Sequence, residues 1–235
     1  MDYPVTTLAE PRTVRLVASA RLRDPVLLAL VAPALLDDLA EIEGATSARL
    51  RAEGAGAFAP GGRPHANFVN AAFAYFRPRE LNRFNGPGRG AWYAALAVAT
   101  ALAEVTYHLG RELARAGSWH ATVEYAEMWA SFAGAFVDLR GLAPPPPCLD
   151  ADERVGYPAG NALAERARAE GLNGVVYPSV RHAGGICLVA LWPHAVQSVA
   201  QGTVWRVRWA GRPEPDVTQA AASADGPAPG SRPAP

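Results

Sequence analysis

Polar and apolar positions alternate along some stretches of the chain and follow helical spacing along others. Residues 13–18 place Arg15 between apolar neighbours and predict a first strand. Asp24-Pro25 has the form of a helix start, with Asp as cap and Pro at the first helical position. Leu27, Leu28, Leu35, Leu36, Leu39 and Ile42 then supply an apolar face, with a bend at Pro33. Gly, Ala and Pro dominate residues 54–64, which predicts a loop. The aromatics of residues 67–76 favour a strand before Pro78.

A glycine turn at residues 86–90 leads into a short buried strand at 91–94 and a helix over about 96–116. Further strands are predicted at 122–125 and 136–139. Pro144 to Pro147 forms a stiff polyproline spacer, followed by a helix at 161–170 that ends at Gly171. Strands at 174–177 and 186–191 flank a turn at Pro178-Ser179, and 204–209 reads as an amphipathic closing strand. Beyond Arg212 the chain turns to Pro, Ala, Gly, Ser and Asp with almost no apolar bulk. Such a segment buries too little surface to offset its ordering entropy, which predicts one domain over 1–212 and a disordered tail over 213–235. Short strands interspersed with helices make the class α+β.

At 235 residues and 50% hydrophobic content, a packed core is available without disulfides or metals. The 22 basic and 22 acidic residues cancel, which argues against direct nucleic-acid binding or a membrane-surface role. Every basic residue is Arg. With no Lys, a Schiff base, a Walker phosphate ligand and a lysine base are all excluded. Cys148 and Cys187 are too far apart in sequence to suggest a zinc site, and two cysteines do not make a secreted disulfide scaffold. The five histidines show no metal spacing. The N-terminal residues lack signal-peptide character, and the longest apolar stretch, 26–36, is too short to span a bilayer. The expectation is a cytoplasmic protein.

The densest candidate chemistry runs from Arg83-Phe84-Asn85 through the glycine turn to Trp92-Tyr93-Ala94 and on to Glu104. On the predicted helix, Ala97, Thr100, Ala101, Glu104 and His108 share one stripe. Val98, Leu102, Val105, Leu109 and Leu113 form a bulkier stripe expected to face the core. Small neighbours leave Glu104 room for a ligand, although the helix alone favours a solvated glutamate paired with His108 or Arg111. The glycine turn precedes a strand rather than a helix, so neither a Walker loop nor a dinucleotide fingerprint fits. No nucleophile elbow surrounds Ser179.

The run Arg83-Phe84-Asn85, glycine turn, Tyr93-Ala94, then Glu104 resembles the first motif of RES domains. Gly174 to Arg181, with Ser179 inside it, resembles their later motif, and Arg15 resembles the early Arg of the family. The resemblance spans residues 15–193. Phe84 stands where Trp is commoner, and Ala183-Gly184-Gly185 replaces the Asn-Pro segment of many members. The long stretch 24–76 is similar to a longer RES subgroup.

The resemblance implies an ADP-ribosyltransferase-like mixed β core with flanking helices, and a toxin of a toxin–antitoxin system. Its substrate would be NAD⁺, cleaved between nicotinamide and ribose, with ADP-ribose passed to inorganic phosphate or water. ADP-ribosyl transfer to a protein and a catalytically silent RES-like binding module are the alternatives. Glu104 would stabilise the oxocarbenium-like transition state, and Arg15 and Arg83 would grip the diphosphate. Tyr93 would stack on nicotinamide or ribose, Asn85 would belong to the NAD-binding set, and Ser179 would bond the ribose or place the phosphate. No prosthetic group is implied. The implied partner is an Xre-type antitoxin that blocks the cleft and assembles with the chain into a larger complex.

Overall fold

The computed structural model describes residues 2–18, 65–74 and 81–220. The helix predicted from Asp24-Pro25 and the loop at 54–64 lie outside the described residues. Seven strands, β1 (Val5–Ala18), β2 (Trp92–Ala95), β3 (His120–Asp138), β4 (Gly174–Pro178), β5 (Ile186–Ala190), β6 (Gln197–Ala210) and β7 (Asp216–Gln219), form one sheet in the order β1-β2-β5-β4-β3-β6-β7. β1 also pairs with β3 from Val5↔Val137 to Ala18↔Tyr125, so β1, β2, β5, β4 and β3 make a closed circuit. Among the described strands, only the β3–β4 pairing is parallel. Helices α1 (Ala66–Ala74), α2 (Val98–Arg115) and α3 (Glu153–Ala169) flank this sheet. The architecture is α+β with a mixed sheet.

Strand alternation sends successive side chains to two separate cores. Ala95, Val137, Val175, Tyr177, Cys187 and Val189 enter the first, where Ala101 of α2 and Leu163, Ala164 and Ala167 of α3 close over them. Trp92, Met128, Phe136, Val176 and Leu188 enter the second, together with Val69 and Phe73 of α1. Both faces of the central strands are therefore dry, and their sequences read as continuous apolar runs.

Several elements differ from the sequence-based expectation. Residues 66–74 form helix α1, not a strand, because Val69 and Phe73 are four apart and bury one helical face against the second core. The two strands predicted at 122–125 and 136–139 are parts of one 19-residue strand, β3. Its interior carries a buried carboxylate, Glu127, which accepts from Trp205 Nε1 at 2.7 Å, Trp129 Nε1 at 2.9 Å and the Thr203 amide at 3.1 Å. Those bonds let a charged residue sit where burial alone would expel it.

Helix α3 starts at Glu153, eight residues before the predicted start at Asn161, because Asp152 caps it by accepting from the Arg154 amide at 3.0 Å. The helix absorbs Pro158. In α2 the stripe of small residues, not the bulky one, lies closest to the sheet. Thr100 and Ala101 are buried, while Leu102 and Val105 are half-buried.

The sheet also continues past residue 212, the boundary drawn for the domain. β7 pairs with β6 from Asp216↔Arg208 to Gln219↔Trp205, and Trp209 Nε1 donates to the Pro213 carbonyl at 3.1 Å. The tail assigned to 213–235 therefore contains an ordered edge strand; residues 221–235 lie outside the described residues. Truncation after residue 212 should cost about 1–2 kcal/mol, a drop of a few degrees in Tm, through lost ladder bonds. Truncation after residue 220 should leave Tm unchanged, since 221–235 has no core-forming side chain. Thermal denaturation of the two truncated proteins checks this; equal Tm values would show that β7 contributes nothing.

Candidate functional site

A cleft of about 260 Å³ opens on the side of the first core and takes residues from β1, β2, β4, β5, α2, α3 and the loops beside them. Arg15, Arg83, Tyr93 and Glu104, four of the six residues singled out in the sequence, line it. Ser179 and Asn85 do not line it and act from behind the wall.

Glu104 is delivered by α2. The small residues Thr100 and Ala101, one turn earlier, let the helix lie close to the sheet and bring the carboxylate to the cleft. Ser179 Oγ donates to Glu104 Oε1 at 2.7 Å, and the Cys187 thiol donates to the same oxygen at 3.7 Å. The second oxygen, Oε2, has no hydrogen-bond partner among the described residues. Glu104 is thus a carboxylate with one oxygen anchored and the other available, not the solvated helix-face residue that the sequence also allowed.

The hydroxyl of Ser179 is fully occupied. It accepts from the Arg181 amide at 3.1 Å and the His182 amide at 3.0 Å while donating to Glu104. Its backbone amide donates to the Gly185 carbonyl at 2.8 Å. The loop it folds is pegged to α2 by a 2.9 Å hydrogen bond between Thr100 Oγ1 and His182 Nδ1. Ser179 therefore positions Glu104 and the loop, with no hydrogen-bonding capacity left for a ribose or phosphate.

Arg83 is 8% exposed, and its Nη1 donates to the carbonyls of Cys148 at 2.6 Å and Asp150 at 3.0 Å. α3 passes so close that a Cβ at Gly160 would lie 1.9 Å from the Arg83 carbonyl, and one at Gly156 would lie 2.7 Å from its Nη1. Gly156 makes room for the guanidinium and Gly160 for the Arg83 backbone. Arg15 Nη1 donates to the Tyr93 carbonyl at 3.4 Å, and its guanidinium lies 5.1 Å from the centre of the Trp92 ring.

Asn85 is buried as a brace. Its Oδ1 accepts from Tyr93 Oη at 2.8 Å and its Nδ2 donates to the Arg89 carbonyl at 2.9 Å, tying the glycine turn to β2. Tyr93 Oη also accepts from the Phe84 amide at 2.9 Å. Burial pushes the Tyr93 phenol well above its usual range, so it stays neutral and offers the cleft its ring rather than its hydroxyl. Phe84 is fully buried against Tyr177, with ring centres 4.9 Å apart.

Sequence reasoning assigned no role to Arg181, Tyr157, Tyr177 or Cys187, which also line the cleft. Arg181 follows Ser179 by two residues and closes the same motif, so adjacency is the available signal. His108 also reaches the cleft, and partial desolvation holds its imidazole below the usual range against the pull of Glu104. Burial pushes the Cys148 thiol up to about 11, and burial together with the Glu104 carboxylate pushes Cys187 higher still. Neither thiol forms a thiolate nucleophile near neutral pH. Among the described residues, no group of three His, Cys, Asp or Glu could hold a metal ion, and no helix is long and apolar enough to cross a membrane.

The sheet and its cleft define an α+β protein in which one half-anchored carboxylate and several arginines line the same cleft. The RES domain family model matches residues 59–210, well over half of the chain, and the chain belongs to that family. Arg15 precedes the matched residues, and its place in the site rests on the cleft geometry alone. Among solved structures, the chain is similar to one from the M. tuberculosis MbcT-MbcA toxin–antitoxin complex. The identity is 17%, over 61% of this chain and 80% of that one, with a TM-score of 0.36. No curated protein matches it.

Because both thiols are buried and held protonated, native protein at about pH 8 should resist a thiol-specific colorimetric reagent, while unfolded protein should react at both cysteines. A rapid stoichiometric reaction of the native protein would show that the packing around Glu104 is open.

Proposed function

We propose that the chain cleaves NAD⁺ between nicotinamide and ribose and passes ADP-ribose to inorganic phosphate or water. The observation that carries this reading is Glu104 itself, anchored through Oε1 and open at Oε2 in a cleft shared with Arg15, Arg83 and Arg181. As the C1′–N bond breaks, its electron pair leaves with the nicotinamide ring nitrogen, which becomes neutral, and positive charge develops at the anomeric carbon. The acceptor oxygen then bonds C1′ and gives up its proton. A fixed carboxylate stabilises that developing cation without reorganising, which is where electrostatic catalysis is strongest. The arginines supply donors and charge for the diphosphate. Family membership and the ADP-ribosyltransferase-like site implied by the motifs support the same reading.

In the cell this activity would make the chain the toxin of a toxin–antitoxin pair, held in check by an Xre-type antitoxin that covers the cleft within a larger complex. A cleft rich in guanidinium groups favours an acidic or carboxylate-ended segment of such a partner. Expression alone should arrest bacterial growth and deplete NAD⁺, and co-expression of the partner should restore both.

Purified protein incubated with NAD⁺, with and without phosphate, should release nicotinamide, and mass spectrometry of the second product identifies the acceptor. Glu104→Gln keeps the size of the side chain and the Ser179 contact but removes the charge. It should reduce turnover by about 100-fold or more with little change in Tm. Near wild-type turnover would remove Glu104 from the chemistry, and intact NAD⁺ with the wild-type protein would leave the binding-module reading.

A further inference from the structure

Two guanidinium groups of the cleft hang from one short backbone segment. Arg83 Nη1 donates to the carbonyls of Cys148 and Asp150, and Arg181 Nη2 donates to the next carbonyl, that of Ala151, at 3.3 Å. The segment follows the run Pro144 to Pro147, which delivers it to the cleft wall through a 3-10 turn at Pro147–Leu149. The segment that follows the polyproline spacer thus supports two cations of the cleft.

Arg181 is fixed from three further sides. Its guanidinium lies 3.7 Å from the centre of the Tyr107 ring, its backbone is tied to Ser179, and Glu153 Oε1 stands 3.9 Å from Nη2. Glu153 is shared, since the same oxygen contacts Arg111 and accepts from Tyr157 Oη at 2.9 Å. One distant and divided carboxylate does not neutralise a guanidinium whose side chain is 11% exposed. Arg83 has no carboxylate within ion-pair distance among the described residues and lies beside the Tyr157 ring, 5.4 Å from its centre. Both arginines act on the same neighbours, lowering the His108 imidazole and opposing the rise of the Tyr157 phenol. Two cations bonded to one segment and lining one cleft favour an anion beside them, and a diphosphate provides one charge for each.

We propose that Arg181 joins Arg83 in a two-arginine clamp for the diphosphate of the substrate, and that the carbonyls of Cys148, Asp150 and Ala151 together with Glu153 preset the clamp. This deepens the NAD⁺ reading and rests on it for the identity of the substrate. Arg181 also links the two halves of the site. Its amide bonds the hydroxyl that anchors Glu104, so gripping the diphosphate and holding the carboxylate depend on one loop.

The test is calorimetric binding of ADP-ribose and of inorganic pyrophosphate to wild-type, Arg181→Gln and Arg181→Lys proteins, with NAD⁺ kinetics measured in parallel. Arg181→Gln should weaken both ligands by about ten-fold or more and raise KM for NAD⁺ far more than it lowers kcat. Arg181→Lys keeps the charge but loses the planar fork, and should fall between the two. It decides the question if the Gln variant does not fold. Wild-type affinity in both variants would overturn the clamp, as would failure of the wild-type protein to bind either ligand. Binding of ADP-ribose without cleavage of NAD⁺ would leave the clamp standing and sink the proposed reaction.

Discussion

The hydrogen bond from Ser179 to Glu104 joins residues 75 apart in sequence, one on α2 and the other in the loop between β4 and β5. A carboxylate on a helix face ordinarily turns to water. Here one oxygen is held in place by a hydroxyl that is itself oriented by two backbone amides. The Thr100–His182 peg fixes that loop to the same helix. Carboxylate, serine and loop therefore form a single unit. Moving any of them would cost partly buried hydrogen bonds, each worth about 1 kcal/mol net and more when a partner is left unsatisfied. This rigidity lets one oxygen face the cleft at a defined place, the preorganisation that charge-stabilising catalysis requires.

The arginines pose the reverse problem, that of keeping cations in a partly dry cleft. Arg83 and Arg181 are supported by neutral carbonyls, which orient each guanidinium without cancelling its charge. Glycines at 156 and 160 allow α3 to pass close enough to cover Arg83. Arginine suits this task because its fork can bond the wall with one nitrogen and still present others to a ligand. A chain without lysine meets its need for fixed charge in this way.

The sequence made the site more legible than the fold around it. Glu104 is marked locally by the small residues that precede it on the helix, Arg83 and Tyr93 by the resemblance of their run to the RES motif, and the cleft brings the three together. The errors came from partners that are distant along the chain. Asn85 reads as a ligand-binding amide until its bonds to Tyr93 and Arg89 place it behind the wall. Ser179 reads as a substrate contact until its hydroxyl is seen to be fully used. The sequence reading stops one strand at Tyr125 and starts another at Phe136, whereas β3 runs on through Glu127, whose carboxylate is satisfied by Trp205, 78 residues away. Helix α1 was misread because aromatics weigh towards a strand when the surface they cover is unknown. In each case local propensity was overruled by tertiary contacts.

The central claim is that the open oxygen of Glu104 faces the anomeric carbon while the arginines hold the diphosphate. A crystal structure of the Glu104→Gln protein with NAD⁺ bound tests it most directly. The prediction is C1′ of the nicotinamide ribose beside the side chain of residue 104, with the diphosphate against Arg83 and Arg181. NAD⁺ bound with its nicotinamide ribose remote from residue 104, or bound outside the cleft, would contradict the claim.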